Sequence, residues 1–563
     1  MSALSARSLA GLATESGFEG NAYAAWALGL SVSAVVLFGV LALVLLKREK
    51  AANVYAVKTT EFFFTARASK QKWKVAWSFF SSAVGSFVIS GMPDFAFWGG
   101  LIGLLAYAFS GALPIVLIGH FGSSLQERYP RILSLSDYGR LRFGLATQVL
   151  VVLMTLFNTS VACCAEYTTI ASLMSYYVAL GGFDVLFVAL LGVVTLTYTT
   201  AGGLSVSIIT DQFQGVSSFT LFAVIMIFVA ATWRVPGGAY QPDVIGPELT
   251  AQLWGLSELG WTSLFVMPFS LLTGTVFSEA MWQRVWASED RATVRFGSRV
   301  GALLVFLVCF GIGFTGILGG WAYGAAMFDA NPNLRLFYVL KPFADQFVPV
   351  VNSAIGVLVV LFAVVMSESA IDSMQNAIGA CLNGALQGRA PGYSLRVGQA
   401  MVAAINVPLI VVGTLKTKVL ALFLVANMVG ACAVFPVLLG IVRLAWVDRY
   451  LTDMVPPVSF VFTMCCLAGF GVSQVDGHGF ADGLSMAFYD NMYGWKYFLV
   501  ALGCSIGSTF ALMGLNALRG VRRADQDDQL DHDHDHAVRE PDAEAAATHA
   551  DVKPVATTSI QQI

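Results

Sequence analysis

The side chains that could do chemistry in this sequence are acidic residues inside long apolar runs. Carboxylates are costly within a membrane, so each of them needs a physical reason to be there. The sequence predicts no lysine or arginine in the middle of a span, so a buried carboxylate must meet a cation, take up a proton or contact water. The acidic residues concerned are Asp94, Glu166, Asp211, Glu279, Glu368 and Asp372. A polar cytoplasmic vestibule is the alternative for the three that lie near predicted inner ends, Asp211, Glu279 and Asp372, and to a lesser extent for Glu166 and Glu368.

Glycine and serine residues form a second feature in the stretch from Trp77 to Gly100, which reads WSFFSSAVGSFVISGMPDFAFWGG. Glycine and proline loosen a helix and free its carbonyls, and serine hydroxyls add oxygen ligands. Irregular backbone at membrane depth survives only where it faces protein or a water-filled cavity. Because interrupted helices mark the ion and substrate sites of secondary transporters, we predict half of such a site around Gly85 and Ser86. A packing helix with small residues at its contacts is the alternative.

A cluster of serines around one glutamate forms a third feature, in the apolar run 348–382. Its members are Ser367, Glu368, Ser369 and Ser373. Hydroxyls and carbonyls are the hard oxygen ligands that replace water around an alkali cation. Each serine could instead bond back to a carbonyl of its own helix. Because the cluster is predicted to face a broken helix with serines of its own, the cation site is the favoured interpretation.

The negative sign of these charges limits which charge the solute can carry. An anion requires a basic residue or a helix N-terminus in its pocket, and the sequence places no basic residue among the acidic positions. Neutral polar or cationic solutes therefore suit the chain better than carboxylates or phosphate.

The elements that must position these residues are membrane-spanning helices. Of the 563 residues, 57% are hydrophobic and 12% are charged, which is typical of a membrane protein. Since a span needs about 20 apolar residues, the apolar runs predict an all-α polytopic membrane protein with about 13 transmembrane helices. The predicted spans lie near residues 24–46, 73–92, 97–121, 145–172, 178–200, 206–232, 261–284, 298–323, 348–382, 395–415, 419–445, 455–474 and 495–518.

The lysines and arginines predict the orientation of these spans. Most of them, including Arg284 at the end of the seventh predicted span, lie in connections on one side, whereas few, such as Arg234 and Arg335, lie on the other. The basic side is expected to be cytoplasmic. The N-terminus is then extracellular and the C-terminus cytoplasmic, as an odd number of spans requires. We expect a multi-pass protein of the plasma membrane.

Two interrupted spans in corresponding positions predict an internal repeat. The second span is interrupted at Gly85 and at Gly91–Pro93, and the seventh carries Pro268, Thr273 and Gly274. Two five-helix repeats related in this way have opposite topology, because five is odd. One extra helix precedes this core and two follow it.

The spans and the repeat together predict how the chain is divided. The predicted regions are an extracellular N-terminus (1–23), an additional helix (24–46), the first repeat with a preceding cytoplasmic loop (47–232), an extracellular loop (233–260), the second repeat (261–445), two C-terminal helices (446–523) and a disordered acidic cytoplasmic tail (524–563). The DHDHDH run in the tail could bind a metal weakly, but a charged, solubilising tail is the favoured interpretation.

Three stretches together resemble the sodium:solute symporter family. YTTAGGLSVSIITDQFQG (Tyr198 to Gly215) is similar to the family signature of Tyr-Thr, a Gly-Gly-Leu turn and Thr-Asp-x-x-Gln. The Trp77–Gly100 stretch resembles the first core helix of the family, which ends in Gly-x-Pro, and SAIDSMQNA resembles core helix eight. FSEAMWQRVWAS and VFPVLLGIVRLAW add weaker likeness. The resemblance covers about Thr59 to Trp446 and implies the inverted five-plus-five transporter fold.

The resemblance also implies a core cation site. Backbone carbonyls of the first core helix match Ser81 and Val84, and Asp211 matches an aspartate near the inward ion path. Core helix eight adds a carbonyl and two adjacent hydroxyls, matched either by Val364, Ser367 and Glu368 or by Met366, Ser369 and Ala370. In both registers the second hydroxyl is missing. A carboxylate there suits proton coupling, which the urea symporters of plants and fungi in this family are thought to use.

These features predict a symporter, driven by Na⁺ or H⁺, that moves a small polar solute such as urea or an amine by alternating access. The expected cation ligands are Ser81, Val84, Asp211, Val364, Ser367, Glu368 and Ser369. The expected solute residues are Gly85, Ser86, Asp94, Glu166, Thr273 and Gly274. We expect no cofactor beyond the coupling ion, and the solute, the ion and the lipid bilayer rather than nucleic acid as partners.

The sequence disfavours two other classes of protein. A transporter-like solute sensor or an uncoupled channel is the alternative, although the tail is too short for a built-in signalling domain and broken helices disfavour a plain pore. A membrane enzyme is not expected, because the sequence has no HExxH, no paired intramembrane histidines and no nucleophile motif.

Overall fold

The computed structural model describes residues 23–51, 60–129, 134–178, 183–234, 245–340, 353–386, 393–415, 419–442, 444–477 and 479–522, with the single positions 132 and 390. Helices dominate this part of the chain, as the apolar runs predict. Residues 1–22 of the predicted N-terminal region 1–23 and the whole predicted tail 524–563 lie outside the described residues.

The helices are numbered here in chain order. They are α1 (Ala24–Ala51), α2 (Thr60–Thr65), α3 (Lys72–Ala83), α4 (Phe87–Arg128), α5 (Leu135–Arg142), α6 (Leu145–Val178), α7 (Phe183–Thr232), α8 (Pro247–Trp254), α9 (Glu258–Val276), α10 (Glu279–Ala287), α11 (Arg291–Tyr323), α12 (Arg335–Tyr338), α13 (Ala354–Leu386), α14 (Leu395–Gly413), α15 (Val419–Leu439), α16 (Ala445–Tyr450), α17 (Val455–Ser473), α18 (Phe480–Phe488) and α19 (Trp495–Leu518). Two short 3₁₀ turns, Gly324–Phe328 and Pro332–Leu334, precede α12.

Two of the long helices are each a pair of spans joined at a glycine. Helix α4 turns at Gly100 (φ 62°, ψ −164°) and α7 turns at Gly203 (φ 62°, ψ −163°). Positive φ favours glycine, and a Cβ at Gly203 would also lie 2.4 Å from the Phe63 carbonyl oxygen. In the described part of the chain, 11 helices are long and apolar enough to cross a membrane. If α4 and α7 are each counted as two spans, the number of candidate spans agrees with the predicted count of about 13.

The first predicted interruption is present. Helix α3 ends at Ala83, Val84 is extended (φ −115°, ψ 113°) and α4 begins at Phe87. The additional interruption expected at Gly91–Pro93 is wrong, because these residues continue within α4. Proline removes one helical hydrogen bond, but its φ is compatible with a helix, and Gly316 of α11 packs against the Pro93 carbonyl.

The second interruption is also present, but it lies later than predicted. Helix α9 ends at Val276 and α10 begins at Glu279, so Phe277 and Ser278 form the break. The prediction placed it at Thr273–Gly274, which remain helical. The reason is local: the Thr273 hydroxyl donates to the Phe269 carbonyl at 2.8 Å, and the Phe277 N–H still bonds the Thr273 carbonyl at 3.2 Å.

Helix α13 is the centre of the described bundle. It is the most enclosed of the candidate spans, with 83% of its most apolar stretch buried. Its neighbours include α3, α6, α7 and α10. Helices that border both breaks therefore pack against a single continuous helix, the one that carries the serine cluster.

Candidate functional site

The first break is closed by the carboxylate of Glu166, which comes from α6. Its Oε2 atom accepts hydrogen bonds from the Ser86 backbone N–H at 2.8 Å, from Ser86 Oγ at 2.8 Å and from Ser367 Oγ of α13 at 2.6 Å. In a continuous helix the Ser86 N–H would bond the carbonyl of residue 82. A buried carboxylate therefore occupies the N-terminus of α4, where the partial positive charge of a helix favours an anion.

Gly85 makes this approach possible. A Cβ on Gly85 would lie 1.9 Å from Glu166 Oε1, far inside contact distance. Ser86, Glu166 and Ser367 are all buried, at no more than 1% exposure. The sequence prediction divided these residues between a solute site and a cation site, and the structure brings them together as one group. We call Gly85, Ser86, Glu166 and Ser367 the break cluster.

The remaining predicted cation ligands on α3 and α13 do not share one environment. The Ser81 hydroxyl donates to the Trp77 carbonyl of its own helix at 2.9 Å. The carbonyls of Ser81 and Val84 lie at the end of α3, where helical geometry stops. Val364 is fully buried on α13, one turn before the break cluster. Ser369 donates to Asp211 Oδ1 at 2.8 Å, so it serves a different carboxylate from Ser367.

Asp211 is paired with an arginine, which corrects the prediction that no basic residue would meet the buried carboxylates. Arg284 Nη2 lies 2.8 Å from Asp211 Oδ2, and both side chains are fully buried. Ser78 Oγ donates to the same oxygen at 2.6 Å and accepts from Arg284 Nε at 2.9 Å. The prediction placed Arg284 in a cytoplasmic connection. The break before α10 instead leaves that short helix packed among α3 and α13, with all of its residues buried.

Asp372 and Glu368 lie one turn apart on α13 and differ in their partners. Asp372 accepts hydrogen bonds from Tyr198 Oη at 2.9 Å and from Ser207 Oγ at 2.5 Å, both on α7. Glu368 lies beside Gln214, but the two side chains do not reach hydrogen-bond geometry. Among the described residues, neither carboxyl oxygen of Glu368 has a hydrogen-bond partner. Asp372 thus links α13 to α7 through hydrogen bonds, whereas Glu368 can still accept a hydrogen bond.

Two asparagines that the sequence analysis did not single out lie beside Gly274. Asn158 Nδ2 of α6 donates to the Gly274 carbonyl at 3.0 Å. A Cβ on Gly274 would lie 2.8 Å from Asn427 Oδ1 of α15, and Asn427 also donates to Ser270 at 2.8 Å. Amide side chains within apolar runs are a usable signal for such positions, because polar groups are costly there unless they are bonded.

Two predicted acidic positions lie apart from the break cluster. Asp94 is eight residues beyond Ser86, about 12 Å along α4, and its Oδ1 lies 2.8 Å from Arg335 Nε. Burial lowers the pKa of the Arg335 guanidinium, and the Asp94 carboxylate opposes that shift. Glu279 accepts a hydrogen bond from the Leu135 backbone N–H at 2.9 Å, so it caps the start of α5.

Comparison with known proteins finds similarity to transporters. No family model matches the chain. The spermidine transporter DUR31 of Candida albicans (strain SC5314) is 28% identical over 384 residues, which cover 67% of this chain and 69% of that protein. Among solved structures, a Na⁺-coupled sialic acid symporter in a substrate-bound outward-open state aligns with a TM-score of 0.64 and 17% identity, over 87% of this chain and 98% of that one.

The structural likeness shows the fold of the chain. It is an all-α polytopic membrane protein with a LeuT-like core of two inverted five-helix repeats, one helix before the core and two after it. This is the class that the sequence predicted. Membership of the sodium:solute symporter family remains a resemblance.

Proposed function

We propose that this chain is a secondary active transporter that couples a gradient of Na⁺ or H⁺ to the inward movement of a small polar solute across the plasma membrane. An amine-type organic cation is the solute class we favour over a neutral solute such as urea. The observation that carries the proposal is the hydrogen bonding of Glu166 to Ser86 and Ser367 at the broken helix.

The break cluster supports the proposed solute class through its charge. A free helix N-terminus attracts anions, but the N-terminus of α4 is already occupied by the Glu166 carboxylate. An anionic solute would meet this carboxylate, whereas an ammonium group could share it. The 28% identity to a protein named as a spermidine transporter also favours an organic cation as the solute, because spermidine is a polyamine.

The oxygen atoms on α3 and α13 support the coupling to a cation. The groups proposed as ligands are oxygen donors on neighbouring helices: the carbonyls of Ser81 and Val84, the hydroxyl of Ser367 and the carboxyl of Glu368, which has no hydrogen-bond partner among the described residues. Such groups replace the hydration shell of an alkali cation, and a carboxyl group can instead carry a proton. The proposal leaves the choice between Na⁺ and H⁺ to experiment.

The pair of broken helices supports alternating access. Each break allows one half of a helix to tilt while the other half stays packed, and the symporters of this architecture rock one part of the fold against the other. On the side that the sequence predicts to be cytoplasmic, the Asp211–Arg284 ion pair joins α7 to α10. Inward opening in the proposed cycle separates these two helices.

The test is uptake of radiolabelled spermidine and urea into proteoliposomes that contain the full-length protein, with an imposed Na⁺ gradient, an imposed pH gradient or neither. We expect spermidine to accumulate above its equilibrium level under at least one gradient. Glu166→Gln, which keeps the side-chain shape and removes the charge, is expected to reduce this accumulation by at least about tenfold. Glu248→Gln, the same substitution at an exposed position of α8, is the matched control.

The alternative functions give different results in the same assay. Flux that equilibrates spermidine without responding to either gradient indicates a channel, and stoichiometric binding without flux indicates a sensor. Accumulation of urea in the absence of spermidine transport would reject the organic-cation solute while keeping coupled transport. If Glu166→Gln accumulates spermidine as the wild type does, the break cluster has no role in transport.

A further inference from the structure

A second group of cation-binding side chains lies on α4, remote from the break cluster. Phe97 and Trp98 lie three and four residues after Asp94, about one helical turn, so both can lie on the same face of α4 as Asp94. We call these three residues the outer cradle, because the sequence predicts that the part of α4 next to the turn at Gly100 faces the extracellular side. The cradle is occupied in this structure by the Arg335 side chain, which α12 contributes.

The contacts of Arg335 define what the cradle binds. Its Nε atom lies 2.8 Å from Asp94 Oδ1, and its guanidinium carbon lies 4.3 Å from the centre of the Phe97 ring and 5.9 Å from that of Trp98. A carboxylate combined with two aromatic faces is a recognition chemistry for organic cations, since both the charge and the ring faces attract them.

The occupant and the cradle belong to different kinds of element. The cradle lies on a long membrane helix, whereas Arg335 begins a four-residue helix that follows two 3₁₀ turns. Arg335 Nη1 also donates to the Met327 carbonyl at 2.8 Å, a contact within its own connection. Leu334 and Leu336, on either side of Arg335, are buried. Displacement of Arg335 therefore requires its side chain to leave the cradle, whereas the three cradle side chains keep their places on α4.

The Asp94 and Arg335 side chains are both largely buried, so removal of Arg335 would leave a buried charge without a partner. The side chain of Asp94 is only 13% exposed and that of Arg335 is 1% exposed. A carboxylate buried to this extent is destabilised when its cationic partner is removed without replacement. An incoming ammonium group would restore the charge balance, so the cradle should exchange one cation for another.

We propose that Asp94, Phe97 and Trp98 form an external binding site for the ammonium group of an organic cation, and that Arg335 occupies this site until the solute displaces it. The proposal rests on the proposed function for the solute class, but it concerns binding before transport. A neutral solute has no charge with which to compete for Asp94 and bypasses this site.

The experiment measures equilibrium binding of radiolabelled spermidine, with urea as the neutral probe, to the purified full-length protein. Arg335→Gln empties the cradle of its resident cation, so spermidine is expected to bind about tenfold more tightly, the scale of one charged hydrogen bond. Asp94→Asn is expected to weaken spermidine binding by about tenfold. Arg335→Lys keeps a cation in place and should bind spermidine as the wild type does. Urea binding should not change in any of the variants.

The double variant Asp94→Asn/Arg335→Gln tests whether the two effects share one site. Spermidine should bind to it as weakly as to Asp94→Asn, because the gain from losing Arg335 requires the carboxylate. A gain of the same size in both backgrounds would overturn the proposal, as would unchanged binding in Asp94→Asn. If Arg335→Gln fails to fold, Asp94→Asn decides the question without it. Arg234→Gln, at an exposed arginine after α7, is the matched control.

The same measurements separate this proposal from the transport function. Spermidine binding that shifts as described in a protein that does not accumulate spermidine would reject the transport function and keep the outer cradle. Gradient-driven accumulation of spermidine without any Asp94-dependent change in binding would do the reverse.

Discussion

A methyl group on Gly85 would lie 1.9 Å from Oε1 of Glu166, so the Glu166 carboxylate can hold its present position only because Gly85 has no side chain. Gly85, which lies in the break between α3 and α4, therefore also contacts the Glu166 carboxylate of α6. The backbone break and the acidic group are therefore in direct contact.

Replacement of Gly85 by alanine is expected to displace the Glu166 carboxylate from Ser86 and Ser367. Overpacking of this kind costs about 1–3 kcal/mol, and the geometry of the proposed site is lost with it. We expect uptake in proteoliposomes to fall by at least about tenfold. The substitution Gly91→Ala, where the nearest atom would lie 3.6 Å from the new Cβ, should be close to neutral.

The double variant Gly85→Ala/Glu166→Asp distinguishes a steric clash from an unspecific loss of folding. Aspartate is one methylene shorter, so its carboxylate makes room for the added methyl group. Uptake should recover partly relative to Gly85→Ala. A double variant that is less active than either single variant would contradict the contact described here.

Replacement of Ser367 by alanine removes one of the donors to Glu166. Hydrogen bonds to charged groups contribute about 1.5–3 kcal/mol, so the cation concentration that gives half-maximal uptake should change by about tenfold. The matched control is Ser90→Ala, because the Ser90 hydroxyl bonds the Phe87 carbonyl of its own helix at 3.4 Å. Equal effects of the two substitutions on ion dependence would speak against a role of Ser367 in the site.

Replacement of Arg284 by glutamine leaves Asp211 buried without its ionic partner. Breaking a buried pair in this way costs about 3–5 kcal/mol, so the temperature of thermal unfolding in detergent should fall clearly. The double variant Asp211→Asn/Arg284→Gln removes both charges and should recover much of the loss. Arg299→Gln, at an exposed position of α11, should stay close to the wild type. Additive losses in the double variant would show that the two side chains stabilise the protein independently.

Replacement of Asn158 by alanine removes the amide that donates to the Gly274 carbonyl. If this carbonyl belongs to the solute site next to the second break, the KM for the solute should rise about fivefold, since one neutral hydrogen bond contributes about 1 kcal/mol. The ion dependence of uptake should stay unchanged, because Asn158 does not contact the break cluster. Parallel shifts of solute and ion dependence would instead indicate a general distortion of α6.

The fold could be predicted because the signal for each span is local. Length, apolar composition and glycine positions mark where each helix crosses and where α3 gives way to α4. The second break was predicted about one turn too early, because the sequence shows Gly274 but does not show that the Thr273 hydroxyl and the backbone beyond it keep helical hydrogen bonds.

The residue types of the site could also be predicted, since carboxylates and hydroxyls in apolar runs are expensive and therefore informative. The residues with which they pair could not be predicted. Arg284 looked like part of a cytoplasmic connection, and only the packing of α10 among α3 and α13 brings it to Asp211.

The sequence by itself determined the membrane class, the inverted-repeat architecture, the first helix break and the acidic and hydroxyl residues. Only the tertiary structure decided that Glu166 meets Ser86 and Ser367, that Asp211 meets Arg284, and that Asp94 meets Arg335. The physical reason is that a helix forms from bonds four residues apart, whereas these contacts join residues 73 to 241 positions apart. Such contacts depend on how whole helices rotate and pack against one another.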